Sequence, residues 1–197
     1  MVRRPLGGCQ ELTVCWYAPL MSDQTPWRSL LDFVHLPEGC TVLCIGDDPR
    51  GMVQGLHQEG HRGLGLLEDA TAESPVSGGA FLMGKPQALP LRCGALDAIL
   101  CAGVLYRQEN PEAVLEELRR ALRPGGYLVI QEPLAEVGAT GRYLSTDELC
   151  AHLAGEQLVV VAHRQEPTTS AVPLATWVLQ VPGSQADKTR TCIEEDR

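Results

Sequence analysis

Short apolar segments alternate with amphipathic ones along most of this chain, and this alternation restricts the possible folds more than any other feature. The run TVLCI at residues 41–45 is wholly apolar, which is typical of a strand covered on both faces. Strands that alternate with helices favour a mostly parallel sheet with helices on both faces. Strands are predicted at residues 41–45, 63–67, 80–83, 96–101, 127–131, 158–162 and 176–181.

The best-defined helix is predicted at residues 111–122. Asn110 can cap its first turn, and Glu116 precedes Arg120 by four positions. Its apolar stripe consists of Val114, Leu115, Leu118, Ala121 and Leu122. Further helices are predicted at residues 26–36, 50–59 and 145–154, whereas residues 71–79 give a poor helical pattern.

These elements predict one folded domain at residues 25–181. Residues 1–24 form an N-terminal extension in this interpretation, and the polar residues 182–197 form a frayed tail. Ligands of such sheets bind beyond the carboxyl ends of the strands. A site is therefore expected in the turns that follow Ile45, Leu67, Met83, Cys101 and Gln131.

The composition argues against several classes of partner. The net charge is −9 and no basic cluster is visible, so neither nucleic acid nor a membrane surface is expected as a partner. The apolar runs are too short to span a bilayer, and the N-terminus lacks the apolar core of a signal peptide. None of the eight cysteines forms a CxxC pair, so no metal site is expected. A cytoplasmic location is predicted.

The second half of the domain carries a family resemblance. From residue 89 the sequence reads LPLRCGALDAILCAGVLYRQENPEAVLEELRRALRPGGYLVIQEP. It resembles the small-molecule type of class I S-adenosylmethionine-dependent methyltransferase, with its LPF, FDxV and RxLKPGG motifs in order and without a gap. The resemblance covers residues 26–181. It implies a Rossmann-like, doubly wound seven-stranded α/β sheet, mostly parallel, with an antiparallel C-terminal hairpin.

The resemblance also implies S-adenosylmethionine as the cofactor, bound at the turn after the first strand. The family has an acidic residue near the end of that strand and then a GxGxG loop, whose glycines let the backbone approach the methionine part of the cofactor. Here Cys44 stands at the acidic position and Gly46 matches the first glycine. Asp48 and Arg50 replace the other two glycines, and Asp47 lies between Gly46 and Asp48.

Three more positions belong to the candidate cofactor set. The family's ribose-binding acidic residue aligns with Leu67, and Glu68 follows one residue later. Lys85 stands near the position of an aspartate that accepts from the adenine amino group, and a lysine cannot accept. Cys101 ends the fourth strand at the same edge. Because each lost partner costs about 1–3 kcal/mol and such losses roughly add, weak or absent cofactor binding is predicted.

Tyr106 and Glu132 are the candidate catalytic residues. Tyr106 aligns with a position where many relatives carry a substrate-facing histidine, and its hydroxyl could orient a nucleophile. Glu132 follows the predicted fifth strand and could act as a base. A structural role stays open for both, as does a solvated turn for Asp47 and Asp48 and a polar strand exit for Glu68.

Two functions stay open at this point. The first is methyl transfer from S-adenosylmethionine to an unidentified acceptor, either a small molecule or a protein, with catalysis largely by proximity. The second is a catalytically inactive protein that uses the same fold as an interaction or regulatory scaffold with a protein partner. A dinucleotide-dependent oxidoreductase is disfavoured because no GxGxxG motif is present.

Overall fold

Seven strands form a single sheet in the computed structural model of the chain, which describes residues 34–68, 79–133, 148, 151–152, 158–166 and 174–183. The strands are β1 (Thr41–Gly46), β2 (Arg62–Leu67), β3 (Ala80–Met83), β4 (Leu96–Ala102), β5 (Leu122–Pro133), β6 (Val159–Glu166) and β7 (Leu174–Gln180). The helices are α1 (Pro49–Gln58), α2 (Pro111–Ala121) and the short 3₁₀ turn Leu105–Arg107.

The strand order is β3-β2-β1-β4-β5-β7-β6. The first five strands are parallel, and β7 runs antiparallel to both of its neighbours. Ile45 pairs with Cys101, and Ala102 pairs with Gln131, so the strands end together at one carboxyl edge. This confirms the predicted seven-stranded, mostly parallel sheet with an antiparallel C-terminal hairpin.

Both faces of the central strands are buried, as the apolar run in β1 predicts. Leu43 and Ile45 pack on the face covered by α2, whereas Val42 and Cys44 pack on the face covered by α1. The predicted stripe of α2 lies wholly in the core, and Asn110 caps the helix by accepting from the Ala113 amide at 3.1 Å. The amphipathic pattern therefore identified the buried face correctly.

The region where α2 leads into β5 differs from the prediction. β5 already begins at Leu122, which pairs with Leu96, and the register then shifts before Tyr127 pairs with Ala98. The intervening Gly125, at φ +77°, donates from its amide to the Val181 carbonyl at 2.9 Å. The PGG segment at residues 124–126 is thus an irregularity inside β5, bonded to the residue that follows β7, and β5 begins at Leu122 and not at the predicted residue 127.

Two further predictions are corrected. β5 extends to Pro133, so Glu132 lies within the strand and not after it. Arg120 forms its ion pair with Glu117, three positions earlier, and not with Glu116. Both differences arise because tertiary contacts, which local spacing does not contain, determine strand length and side-chain pairing.

Some predicted elements lie outside the described residues. Of the helix predicted at 26–36, only residues 34–36 are described, and they are not helical. Of the weak segment at 71–79, only residue 79 is described. Of the helix predicted at 145–154, Glu148, Ala151 and His152 are described, and they are helical. The domain boundaries near residues 25 and 181 stay predictions. Among the described helices, none is long and apolar enough to cross a bilayer.

Candidate functional site

The candidate site lies at the carboxyl edge of the sheet, where the loops after β1 and β4 face each other. Gly46 ends β1 and pairs with Ala102 at the end of β4. A Cβ atom on Gly46 would overlap the Ala102 carbonyl oxygen. The first glycine of the motif is therefore required by the close approach of the two strands.

Asp48 forms the N-cap of α1. Its carboxylate accepts from the Gly51 amide at 2.8 Å, and Pro49 occupies the first turn. A Cβ on Gly51 would overlap Asp48 Oδ2, so this glycine leaves room for the protein's own carboxylate. A carboxylate at a helix N-terminus is stabilised by the free amides and by the helix dipole. Asp48 therefore uses an amide that a bound anion would otherwise use.

Asp47 forms an ion pair with Arg107 across the gap between the two loops. Arg107 Nε also donates to the Tyr106 hydroxyl at 2.8 Å, and its guanidinium lies 5.1 Å from the centroid of the Tyr106 ring. Beneath the pair is Gly103, at φ +64°, where a Cβ would stand 3.4 Å from Arg107 Nη2 and 3.6 Å from Asp47 Oδ2. The hydrogen bond that Arg107 donates to Asp47 raises the pKa of the Arg107 guanidinium above its usual range.

Sequence reasoning did not identify Arg107. The sequence feature that could have identified Arg107 is its position beside Tyr106 in the turn after a predicted strand. The contact with Asp47 spans 60 positions, so no local pattern could reveal it.

Glu132 is fully buried and fastens the loop after β4 to β5. Its Oε1 accepts from the amides of Val104 and Leu105 at 2.9 and 2.8 Å, and its Oε2 accepts from the Tyr106 amide at 3.3 Å. Burial raises the pKa of this carboxyl to about 6, although the three amides oppose the shift. The carboxylate thus holds in place the turn that carries Tyr106 and Arg107.

The remaining candidates lie outside this hydrogen-bonded group. Cys44 and Cys101 are buried on opposite faces of the sheet, where desolvation raises the pKa of both thiols far above the usual range. Glu68 is exposed beyond β2, and Lys85 is exposed in a turn that it closes with Ala88.

Arg50, which replaces a glycine of the loop motif, turns away from the loop. Its guanidinium lies 5.9 Å from the centroid of the Phe81 ring in β3. At the β1–α1 loop, Asp47 pairs with Arg107 from the turn after β4, and Asp48 caps α1.

Residues 89–91 (LPL), which match the LPF motif of the family, are bonded to α2. Glu117 accepts from the Leu89 amide at 2.7 Å, and Arg120 donates to the Leu91 carbonyl at 2.7 Å. Glu117 and Arg120 also pair with each other at 2.6 Å. Sequence reasoning missed Glu117, and this part of the motif has a structural role.

Comparison with known sequences points to methyltransferases. The sequence model of a family described as a methyltransferase domain matches residues 64–130. Thiol S-methyltransferase TMT1B of Homo sapiens is 29% identical over 106 residues, which are 53% of this chain and 39% of that protein. Thiol S-methyltransferase TMT1A of Homo sapiens is 26% identical, over 57% of this chain and 42% of that protein. The chain therefore spans about two fifths of the length of these curated relatives.

Solved structures share the fold at low sequence identity. The [4+2]-cyclase SpnF superposes with a TM-score of 0.71 at 14% identity, covering 80% of each chain. The 1,6-didemethyltoxoflavin-N1-methyltransferase of Burkholderia thailandensis, solved with bound S-adenosylhomocysteine, gives a TM-score of 0.66 at 17% identity and covers 82% of this chain and 80% of that one. The strand order and these superpositions show the fold of the class I S-adenosylmethionine-dependent methyltransferases, and residues 64–130 match the sequence model of a methyltransferase domain.

Proposed function

We propose that this chain is a methyltransferase-fold protein that holds S-adenosylmethionine weakly or not at all in the conformation described, and that it acts as an interaction scaffold. The observation that carries the proposal is that the polar groups of the β1–α1 loop are bonded to the protein itself. Asp47 is paired with Arg107, and Asp48 caps α1. A protein partner and a cytoplasmic location are part of the proposal.

The chemistry of the cofactor explains why this arrangement does not fit it. S-adenosylmethionine carries a sulfonium cation and an amino-acid end with an ammonium and a carboxylate. In this loop the Gly51 amide, which could receive the carboxylate, already donates to Asp48. Asp47, the neighbouring carboxylate, already accepts from Arg107, whose guanidinium lies over Gly103. Binding would have to break these contacts, and that requirement lowers affinity.

A second candidate, S-adenosylmethionine-dependent methyl transfer, is favoured by the family itself. The sequence relatives TMT1B and TMT1A are named thiol S-methyltransferases, which makes a thiol the first acceptor to test. The fold does not decide between the two functions, because it hosts more than one chemistry. The neighbour SpnF, for example, is named a cyclase.

Calorimetric titration with S-adenosylmethionine and S-adenosylhomocysteine tests the proposal. The unmodified protein is expected to show a Kd no tighter than the high micromolar range. The triple variant Asp48→Gly, Arg50→Gly, Lys85→Asp restores the residue types of the family at three positions and should bind at least about tenfold more tightly if the pocket is otherwise intact.

The outcomes separate the two functions. Binding of S-adenosylmethionine by the unmodified protein at low micromolar Kd, followed by methylation of a small thiol, would refute the scaffold proposal. Absence of binding by both proteins would support it, and affinity capture with the full chain would then identify the partner.

A further inference from the structure

We infer that the Arg107–Asp47 ion pair is a latch that closes the cofactor space between the loops after β1 and β4, so that breaking it raises affinity for ligands of the S-adenosylmethionine type. The inference rests on the proposed function and concerns the regulation of the same site. Because the closure depends on one contact between two side chains, it can be tested separately from the triple variant Asp48→Gly, Arg50→Gly, Lys85→Asp.

The position of the pair is the first argument. β1 and β4 are neighbours, and at Gly46 they approach too closely for any side chain. The ion pair lies beside Gly103, the residue that follows β4, within 3.4–3.6 Å of where a Cβ would stand. Asp47 and Arg107 thus cover the space that the missing side chain of Gly103 leaves open.

The orientation of Arg107 is the second argument. The buried Glu132 carboxylate accepts from three successive amides and so fixes the turn that carries Arg107. The Tyr106 hydroxyl then accepts from Arg107 Nε, which directs the other end of the guanidinium at Asp47. Arg107 is therefore held toward Asp47 before any ligand arrives, and the closed form loses less side-chain entropy than an unsupported surface pair.

The loop after β4 also contacts the turn after β3, on the same side of β4 as β1. Gln87, in the turn after β3, donates to the Gln108 side chain. Adjacent residues of one loop, Arg107 and Gln108, thus contact the loops that follow β1 and β3.

The strength of the pair sets the expected effect. The side chains of Arg107 and Asp47 are 42% and 74% exposed. Exposed ion pairs contribute little to the free energy of the state that contains them, so the closed form is only slightly favoured. Removing the ion pair should therefore raise ligand affinity by about three- to fivefold. The same exposure means that substitution should leave folding unaffected.

The test is calorimetric titration of the full chain and its Arg107→Gln and Asp47→Asn variants with S-adenosylhomocysteine, which lacks the sulfonium charge, and with S-adenosylmethionine. Both single variants should bind S-adenosylhomocysteine about three- to fivefold more tightly than the unmodified protein, and the double variant no more tightly than either single variant. Arg92→Gln, which removes an exposed positive charge before β4 at the opposite edge, is the matched control and should leave affinity unchanged. Thermal unfolding checks that all variants fold.

The Asp47→Asn variant separates a latch from plain electrostatics. If only charge mattered, losing Asp47 would weaken binding of the cationic S-adenosylmethionine, whereas a latch predicts stronger binding of both ligands. Weaker binding by Asp47→Asn, or no change in either single variant, would overturn the inference. A tightly binding unmodified protein would refute the proposed function alone, because the comparison among variants would still test the latch.

Discussion

Replacing Glu132 tests whether one buried carboxylate holds the loop that forms the candidate site. Its oxygens accept from the amides of Val104, Leu105 and Tyr106, and the first two of these residues are buried. A buried donor left without an acceptor costs about 1–3 kcal/mol. Glu132→Ala should therefore lower the free energy of unfolding by about 3–5 kcal/mol at pH 7.

Glu132→Gln is the conservative partner of that variant. The amide oxygen can still accept from Val104 and Leu105, but the NH₂ group that replaces Oε2 faces the Tyr106 amide, which is also a donor. The expected loss at pH 7 is smaller, about 1–2 kcal/mol.

The pH dependence provides an independent check. Burial raises the pKa of Glu132 to about 6 from the ordinary 4.5, so the folded protein binds this proton more tightly than the unfolded chain. The resulting stabilisation is fully present below pH 4.5 and is lost as the pH rises through 6, and it amounts to about 2 kcal/mol. Since glutamine does not titrate, the unmodified protein should gain about 1.5 kcal/mol over Glu132→Gln between pH 7 and pH 4.5.

Urea denaturation of the three proteins at both pH values measures these quantities. A stability difference between the unmodified protein and Glu132→Gln that is independent of pH would show that the carboxyl is not desolvated. A loss below about 1 kcal/mol for Glu132→Ala would show that the amides find other acceptors, and the anchoring role would be wrong.

Three smaller predictions concern the stability of the fold. Leu118→Ala should cost about 2–4 kcal/mol in chemical denaturation because Leu118 is fully buried, and a loss under about 0.5 kcal/mol would contradict its place in the core. Gly51→Ala alone should be nearly neutral, because the helix-propensity gain of about 1 kcal/mol is offset when the new Cβ displaces the Asp48 cap. In an Asp48→Ala background the same change should stabilise, and an additive double-mutant cycle would refute the argument. Gly46→Ala should lower stability by about 2–4 kcal/mol through the overlap with Ala102, and an unchanged melting temperature would count against the close approach of β1 and β4.

The fold was predictable because its signals are local. The apolar run of β1 and the stripe of α2 each reflect burial of one segment, and burial imposes a period that the sequence carries. The irregularity at the start of β5 was not predictable. It depends on the pairing of Leu122 with Leu96 and on the contact of Gly125 with Val181, and both join segments far apart in the chain.

The candidate site was predictable only in part. The sequence located it at the carboxyl edge and drew attention to Asp47, Tyr106 and Glu132, which the structure places in one connected group. It did not reveal Arg107, which links Asp47 to Tyr106. The contact of Arg107 with Asp47 depends on the turn that Glu132 holds in place. A contact that depends on other long-range contacts leaves no pattern in residue spacing.

The two halves of the domain contribute different evidence about function. The motifs that carry the resemblance from residue 89 onward have structural roles where their contacts are described, as when Glu117 and Arg120 hold the LPL segment on α2. These contacts stabilise the fold and do not depend on the reaction that a protein of this fold performs. The cofactor chemistry depends on the β1–α1 loop, where Asp48 satisfies a helix amide and Asp47 satisfies Arg107. The family resemblance and the predicted loss of cofactor binding thus rest largely on different residues, and for that reason the test of function must be made on the β1–α1 loop and its contact with Arg107.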